Sequence, residues 1–137
     1  MIQEDAITSD IIRAAIEVHR ELGGPGLLES VYKGALAWEL DRAGHRVERE
    51  VSVPVVYKGV ELGDPLRIDL LVDRQIVVEA KAAARSNPAF AVQCNTYLRL
   101  ARFRIGLVIN FGLPRLVDGI ERVANKELFG KGELSGT

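Results

Sequence analysis

Asp69, Glu79 and Lys81 interrupt the two most apolar runs of this 137-residue chain: Asp69 in residues 66–72, and Glu79 and Lys81 at the end of the run that starts at Ile76. A buried charge is costly unless it is paired or bound to a metal, so each of them needs a reason. Glu79 and Lys81 lie two apart on an expected strand and leave the same face. Asp69 joins them only in some hairpin registers. A two-residue loop at Asp73-Arg74 pairs Asp69 with Val78 and turns Glu79 to the opposite face, whereas a three-residue loop at Asp73-Arg74-Gln75 pairs Asp69 with Glu79. A bulge would serve equally well. Two carboxylates held side by side repel, and a divalent cation that prefers oxygen ligands, Mg²⁺ or Mn²⁺, relieves the repulsion. Lys81 beside them could neutralise charge developing on a phosphate or orient a water. The competing reading is an internal salt bridge of Lys81 with Glu79 or Asp69 near the end of a sheet.

The elements that must carry these residues follow from periodicity. Ile7, Ile11, Ala15, Val18 and Leu22 recur at helical spacing, with Asp5 or Thr8 as caps, and Gly23-Gly24-Pro25-Gly26 ends the helix. A second helix from about Leu28 carries Val31, Leu36, Ala37 and Leu40 inward and stops before Gly44. Val47, Val51, Val53, Val55 and Tyr57 then alternate with polar residues as a strand, which Pro54 marks as an edge or bulged one. The two apolar runs form a hairpin, and their unbroken apolar stretches Leu70-Leu71-Val72 and Ile76-Val77-Val78 predict cover on both faces. Ser86-Asn87-Pro88 opens a third helix to about Ala101, and residues 105–110 form another buried strand. Residues 116–123 read as a strand or a short helix, and Trp38 as core. The order ααβββαβ predicts an α/β or α+β fold, a mixed sheet flanked by helices, in one domain: a core over about 7–123 and a tail over 124–137.

Composition bounds the function. Hydrophobic residues are 47% and charged residues 27%, which excludes a disordered or collagen-like chain. Cys94 is the one cysteine, so neither an internal disulfide nor a cysteine-built zinc site can form. The acidic start and the lack of a long apolar run predict a cytoplasmic protein with no membrane partner. Net charge is −1 but unevenly placed, because residues 81–117 hold six basic residues and no acid. Such a block faces either phosphate or plain solvent.

An Asp on one strand, a tight hairpin, and Glu79-Ala80-Lys81 on the next resemble the PD-(D/E)xK nuclease superfamily, whose restriction-endonuclease-like core is αβββαβ. Residues 26–32, Gly-Leu-Leu-Glu-Ser-Val-Tyr, resemble the signature of its GxxExxY branch. Residues 15–23, 67–72, 78–81 and 109–112 are similar to the same branch in the same order. The chain departs from that pattern at Phe90 and Ala91, where the branch leads one to expect a His and a Glu.

The resemblance implies that Asp69 and Glu79 hold Mg²⁺ or Mn²⁺ with the backbone carbonyl of Ala80, and that Lys81 acts on water or phosphate. It implies a further carboxylate at Glu29, whose other reading is a first-turn Glu favoured by the helix dipole. Gln93 and Tyr97, at i and i+4, are similar to a Gln-x-x-x-Tyr element of exonuclease-like members, with Gln93 reaching Lys81 or a phosphate. Tyr32 either packs or lends its hydroxyl to the site; His19 reads as a hydrogen-bonded structural residue and Cys94 as packed and inert. Arg85, Arg99, Arg102 and Tyr97 are the expected nucleic-acid contacts. The function expected is metal-dependent hydrolysis of phosphodiester bonds, in DNA ahead of RNA, with a homodimer to extend a small footprint. The other reading is a non-catalytic module of the same fold that binds nucleic acid or a protein.

Overall fold

The computed structural model describes residues 2–129, which excludes most of the tail expected after 124. Helix α1 runs Ile2–Glu21 and α2 runs Glu29–Arg42. Strand β1 is Val47–Val53, followed by a small hairpin of β2 (Val56–Tyr57) and β3 (Val60–Glu61). Then come β4 (Leu66–Val72), β5 (Ile76–Lys81), α3 (Pro88–Ala101), β6 (Ile105–Asn110) and β7 (Ile120–Ala124). The five long strands form one mixed sheet in the order β1-β4-β5-β6-β7. Only β5 and β6 are parallel, and α3 makes the crossover between them.

Helices cover both faces. On one, α1 and α2 bury Ile7, Ile11, Leu36 and Leu40 against Leu70, Val72, Val78 and Leu107. On the other, α3 buries Cys94 and Leu98 against Leu71, Val77 and Val108. This double cover is why both runs of the β4–β5 hairpin are continuously apolar, and Leu70-Leu71-Val72 and Ile76-Val77-Val78 are all fully buried. The fold is that of a restriction-endonuclease-like core. No helix among the described residues is long and apolar enough to cross a membrane.

Several local expectations change. Helix α1 begins five residues before Ile7, so Asp5 and Thr8 lie within it and the Thr8 hydroxyl donates to the Asp5 carbonyl (3.0 Å) rather than capping. Val31 and Trp38 point outward, 42% and 59% exposed, because the buried stripe of α2 is Tyr32, Leu36, Ala37 and Leu40. The alternation through Tyr57 is cut at Pro54, and the Lys58-Gly59 turn folds the remainder into β2 and β3. Residues 116–123 divide between a 3₁₀ turn (Leu116–Gly119) and β7. Packing continues beyond 123: the buried Asn125 amide donates to the carbonyls of Leu98 and Phe103, and Phe129 packs on the core.

At the loop end of the hairpin, away from Asp69 and Glu79, a clasp ties α1, the segment after α2 and the β4–β5 loop together. His45 Nε2 meets Asp10 at 2.9 Å while Nδ1 meets Asp73, so both ring nitrogens face carboxylates and the imidazolium is the form that satisfies them. Burial lowers the His45 pKa, but the bonds to Asp73 and Asp10 outweigh it and the net shift is upward. The Asp10 pKa is lowered, chiefly by His45. The clasp therefore stabilises fully below the unfolded His value of ~6.5 and fades as pH rises through the raised folded one. His45→Asn is expected to cost about 1–2 kcal/mol near pH 6 and less near pH 9, checked by urea melts at the two pH values. A cost that does not change with pH would contradict a charged clasp.

Candidate active site

The hairpin adopts the three-residue loop. Leu70 pairs with Val78, Leu71 with Val77 and Val72 with Ile76, which brackets Asp73-Arg74-Gln75 and sets Asp69 across from Glu79. Inside this loop Asp73 and Arg74 both take the left-handed conformation, and the Gln75 N–H donates to the Val72 carbonyl at 3.0 Å to close a tight turn.

Beyond Leu70 the ladder with β5 opens, and the two carboxylates take over its hydrogen bonds. Asp69 N–H donates to Glu79 Oε2 at 3.1 Å, and Ala80 N–H donates to Asp69 Oδ2 at 2.9 Å. Face alternation breaks at the same point: Ile68 packs under α3 but Leu70 under α1 and α2, two residues that an unbroken pleat would keep on one face. Across the sheet, Glu50 has φ 52° and interrupts the β1–β4 pairing between Arg49–Leu70 and Val51–Ile68. A left-handed Glu inside a strand is strained, and it marks a defect shared by both strands. Asp69 thus stands at a fork that side chains from both layers can reach.

From the α2 side comes Lys33, whose Nζ donates to Glu50 Oε1 and lies 3.5 Å from Asp69 Oδ1. From the α3 side comes Gln93, whose Oε1 accepts from Lys81 Nζ at 2.6 Å, while its Nε2 donates to Tyr97 Oη at 3.2 Å. The contact of Gln93 with Lys81 is one that the resemblance implied. An ion pair with Asp69 does form, but Lys33 makes it rather than Lys81. Lys33 escaped the sequence reading, although its place four residues after Glu29 on one helix face was a usable signal. Glu50 escaped because strand alternation assigned it to solvent.

Glu79 is 2% exposed, and its pKa is pushed up to about 8, first by burial and then by the neighbouring Asp69 carboxylate. The Glu29 pKa is also raised, by desolvation and then by Asp69, with Lys81 and Lys33 opposing. Glu29 is thus within electrostatic reach of the fork, although it sits exposed at the start of α2. No three His, Cys, Asp or Glu side chains are gathered in a metal-holding arrangement among the described residues. The carboxylates of Asp69 and Glu79 are the side chains here that could hold a hard cation, and Glu29 is not gathered with them.

The loop after Lys81 is held by Asn110, 2% exposed. Its Oδ1 accepts from the backbone N–H of Ala83 and Gly112, and its amide donates to the Ala83 carbonyl. Residue 112 must be glycine, since a Cβ there would lie 2.3 Å from the Ala83 oxygen. Arg85 is exposed on this loop, at the Lys81 end. Arg99 and Arg102 are placed elsewhere. Arg99 lies about 240° around α3 and about 9 Å along it from Gln93, beside Glu121, Arg122 and Lys126. Arg102 caps the far end of α3 in a left-handed conformation. The acid-free block is therefore not one surface.

Of the remaining candidates, Tyr32 is structural. It stacks on Phe111 at 4.8 Å, donates to the Gly24 carbonyl at 2.7 Å and accepts from Leu27 N–H, which fastens the glycine-rich turn to α2. His19 Nε2 meets the Leu113 carbonyl at 3.0 Å. Cys94 is buried beside Gly106, and burial pushes its thiol up to about 12, which keeps it unreactive.

A family model described as the PD-(D/E)XK nuclease superfamily matches residues 5–123, a span that includes every residue of this fork. No curated protein and no solved structure matches the chain.

Proposed function

We propose that this chain, which belongs to the PD-(D/E)XK nuclease superfamily, is a divalent-metal-dependent nuclease that hydrolyses phosphodiester bonds in DNA. The observation that carries the reading is the fork, where Glu79 accepts from the Asp69 N–H, Asp69 accepts from the Ala80 N–H, and Lys81 follows on the strand face of Glu79. Buried paired carboxylates without a bridging cation oppose folding, and such a cost is kept where chemistry needs it.

Asp69 and Glu79, with the Ala80 carbonyl, would hold Mg²⁺ or Mn²⁺, which supplies Lewis-acid shielding of a phosphate and a bound water of lowered pKa. Glu29 faces the same charges from the start of α2 and would act through water. Lys81, steadied by Gln93 and in turn Tyr97, keeps a positive charge fixed where negative charge grows on the phosphate. Arg85 is the arginine best placed to hold a neighbouring phosphate. The five similar segments narrow the proposal to the GxxExxY branch.

One observation favours the other reading, a non-catalytic module: Lys33 already sets a cation beside Asp69 Oδ1. Incubation of the purified protein with single-stranded, duplex and branched DNA in Mg²⁺ or Mn²⁺ separates the two. Cleavage that EDTA stops is the expected result. No cleavage in either metal, with no heat released on titrating Mn²⁺ into the protein, would establish the module.

A further inference from the structure

A cavity of about 370 Å³, within the range of small-ligand clefts, lies between α3, β6 and β7, close to Lys81 but not lined by it. Phe90 joins the two: its ring centroid is 5.2 Å from Lys81 Nζ, and it also lines the cavity. Phe90 is one of the two positions at which the chain departs from the branch it resembles.

The lining selects its occupant. No Lys or Arg contributes to it, and Asp118 and Glu121 do, so a phosphate is repelled. Phe90, Val108 and Ile120 offer an aromatic and apolar surface. The rim is rich in acceptors, which suit the exocyclic amino groups of bases. Asn87 adds a donor, because its Oδ1 is already taken by Ala89 N–H and its amide N–H groups are left over. An apolar platform with hydrogen-bonding edges, next to a cation that favours phosphate, matches a nucleotide whose base enters while its phosphate stays at Lys81.

We infer that this cavity seats one unpaired nucleobase next to the scissile phosphate, so that single-stranded or open-ended DNA is the substrate class rather than continuous duplex. The inference rests on the nuclease reading for the place of that phosphate. A base in a duplex is stacked and paired and cannot enter such a cavity without being extruded, whereas an unpaired base enters at little cost.

The test uses short single-stranded deoxyoligonucleotides with 2-aminopurine at successive positions, bound to the full chain in EDTA so that nothing is cut. Stacking on Phe90 is expected to quench fluorescence at one position and not at the others. Phe90→Leu should remove that quenching and weaken single-strand binding about five- to hundredfold, the range for loss of one base–aromatic stack, while Phe90→Trp should retain both. Uniform fluorescence at every position, or a parent protein that binds blunt duplex as tightly as single strands, would overturn the inference even if Phe90→Leu failed to fold. The two readings fail separately: metal-dependent cleavage without position-specific quenching refutes the base seat alone, and quenching without cleavage in Mg²⁺ or Mn²⁺ refutes the nuclease alone.

Discussion

Lys81→Met is expected to lower the rate of metal-dependent phosphodiester cleavage by about 10²–10³-fold or more, with Mn²⁺ affinity unchanged or slightly higher. Loss of a single preorganised group that stabilises transition-state charge has an effect of that size. Methionine keeps the length and apolar stem of lysine and removes only the charge. Gln93, which loses its donor, is exposed and finds water instead, so the fold is little affected. Lys81 repels a neighbouring cation, so its neutralisation cannot weaken the metal. Gln93→Ala should show a smaller loss, because it frees the lysine without discharging it. Single-turnover kinetics beside Mn²⁺ calorimetry read both quantities. A Lys81→Met protein that cuts at the parental rate would remove Lys81 from the chemistry.

The second expectation is a gain of stability from disabling the site. Glu79→Gln preserves the acceptor that takes Asp69 N–H. It removes a carboxylate whose folded pKa of about 8 lies well above its ordinary 4.5. Between those values the folded protein binds a proton that the unfolded chain does not, so the parent loses stability as pH rises through that window. The variant should escape this loss and exceed the parent by up to about 3 kcal/mol at pH 7, on the order of 10 °C in Tm, with the gap closing near pH 4.5. These melts are made in EDTA. Added Mn²⁺ should stabilise the parent and not the variant. A Tm below the parent at neutral pH would mean instead that Glu79 is an ionic prop of the fold. Alanine is the poorer probe, because truncating Asp69 or Glu79 also leaves a backbone N–H at the fork without its acceptor.

How much of this was legible in the sequence depends on the range of each interaction. Helical spacing, the Asn87-Pro88 start of α3 and the double-apolar strands are local signals, and they determined the element order and the two-faced cover of the sheet. The alternation that puts Glu79 and Lys81 on one face is also local, whereas the reach of Gln93 to Lys81 came from the family resemblance. The hairpin register was not: both loop lengths obey the same sequence, and side-chain packing on two faces chose between them. Trp38 read as core because hydrophobicity does not say which side of an amphipathic helix a flanking residue occupies; the Tyr32–Leu36–Leu40 stripe took the inside. A run of basic residues likewise says nothing of direction, and the turn of α3 sends Arg99 away from Lys81. Lys33 and Glu50 belong to different elements and reach Asp69 only through the shared defect in β1 and β4, where a left-handed Glu50 and a broken pleat bring two layers to one point. The sequence alone determined which residues could do chemistry. The tertiary structure decided which of them share a site, because a carboxylate's partners are set by distance in space and by the loss of water around it, and neither is written along the chain.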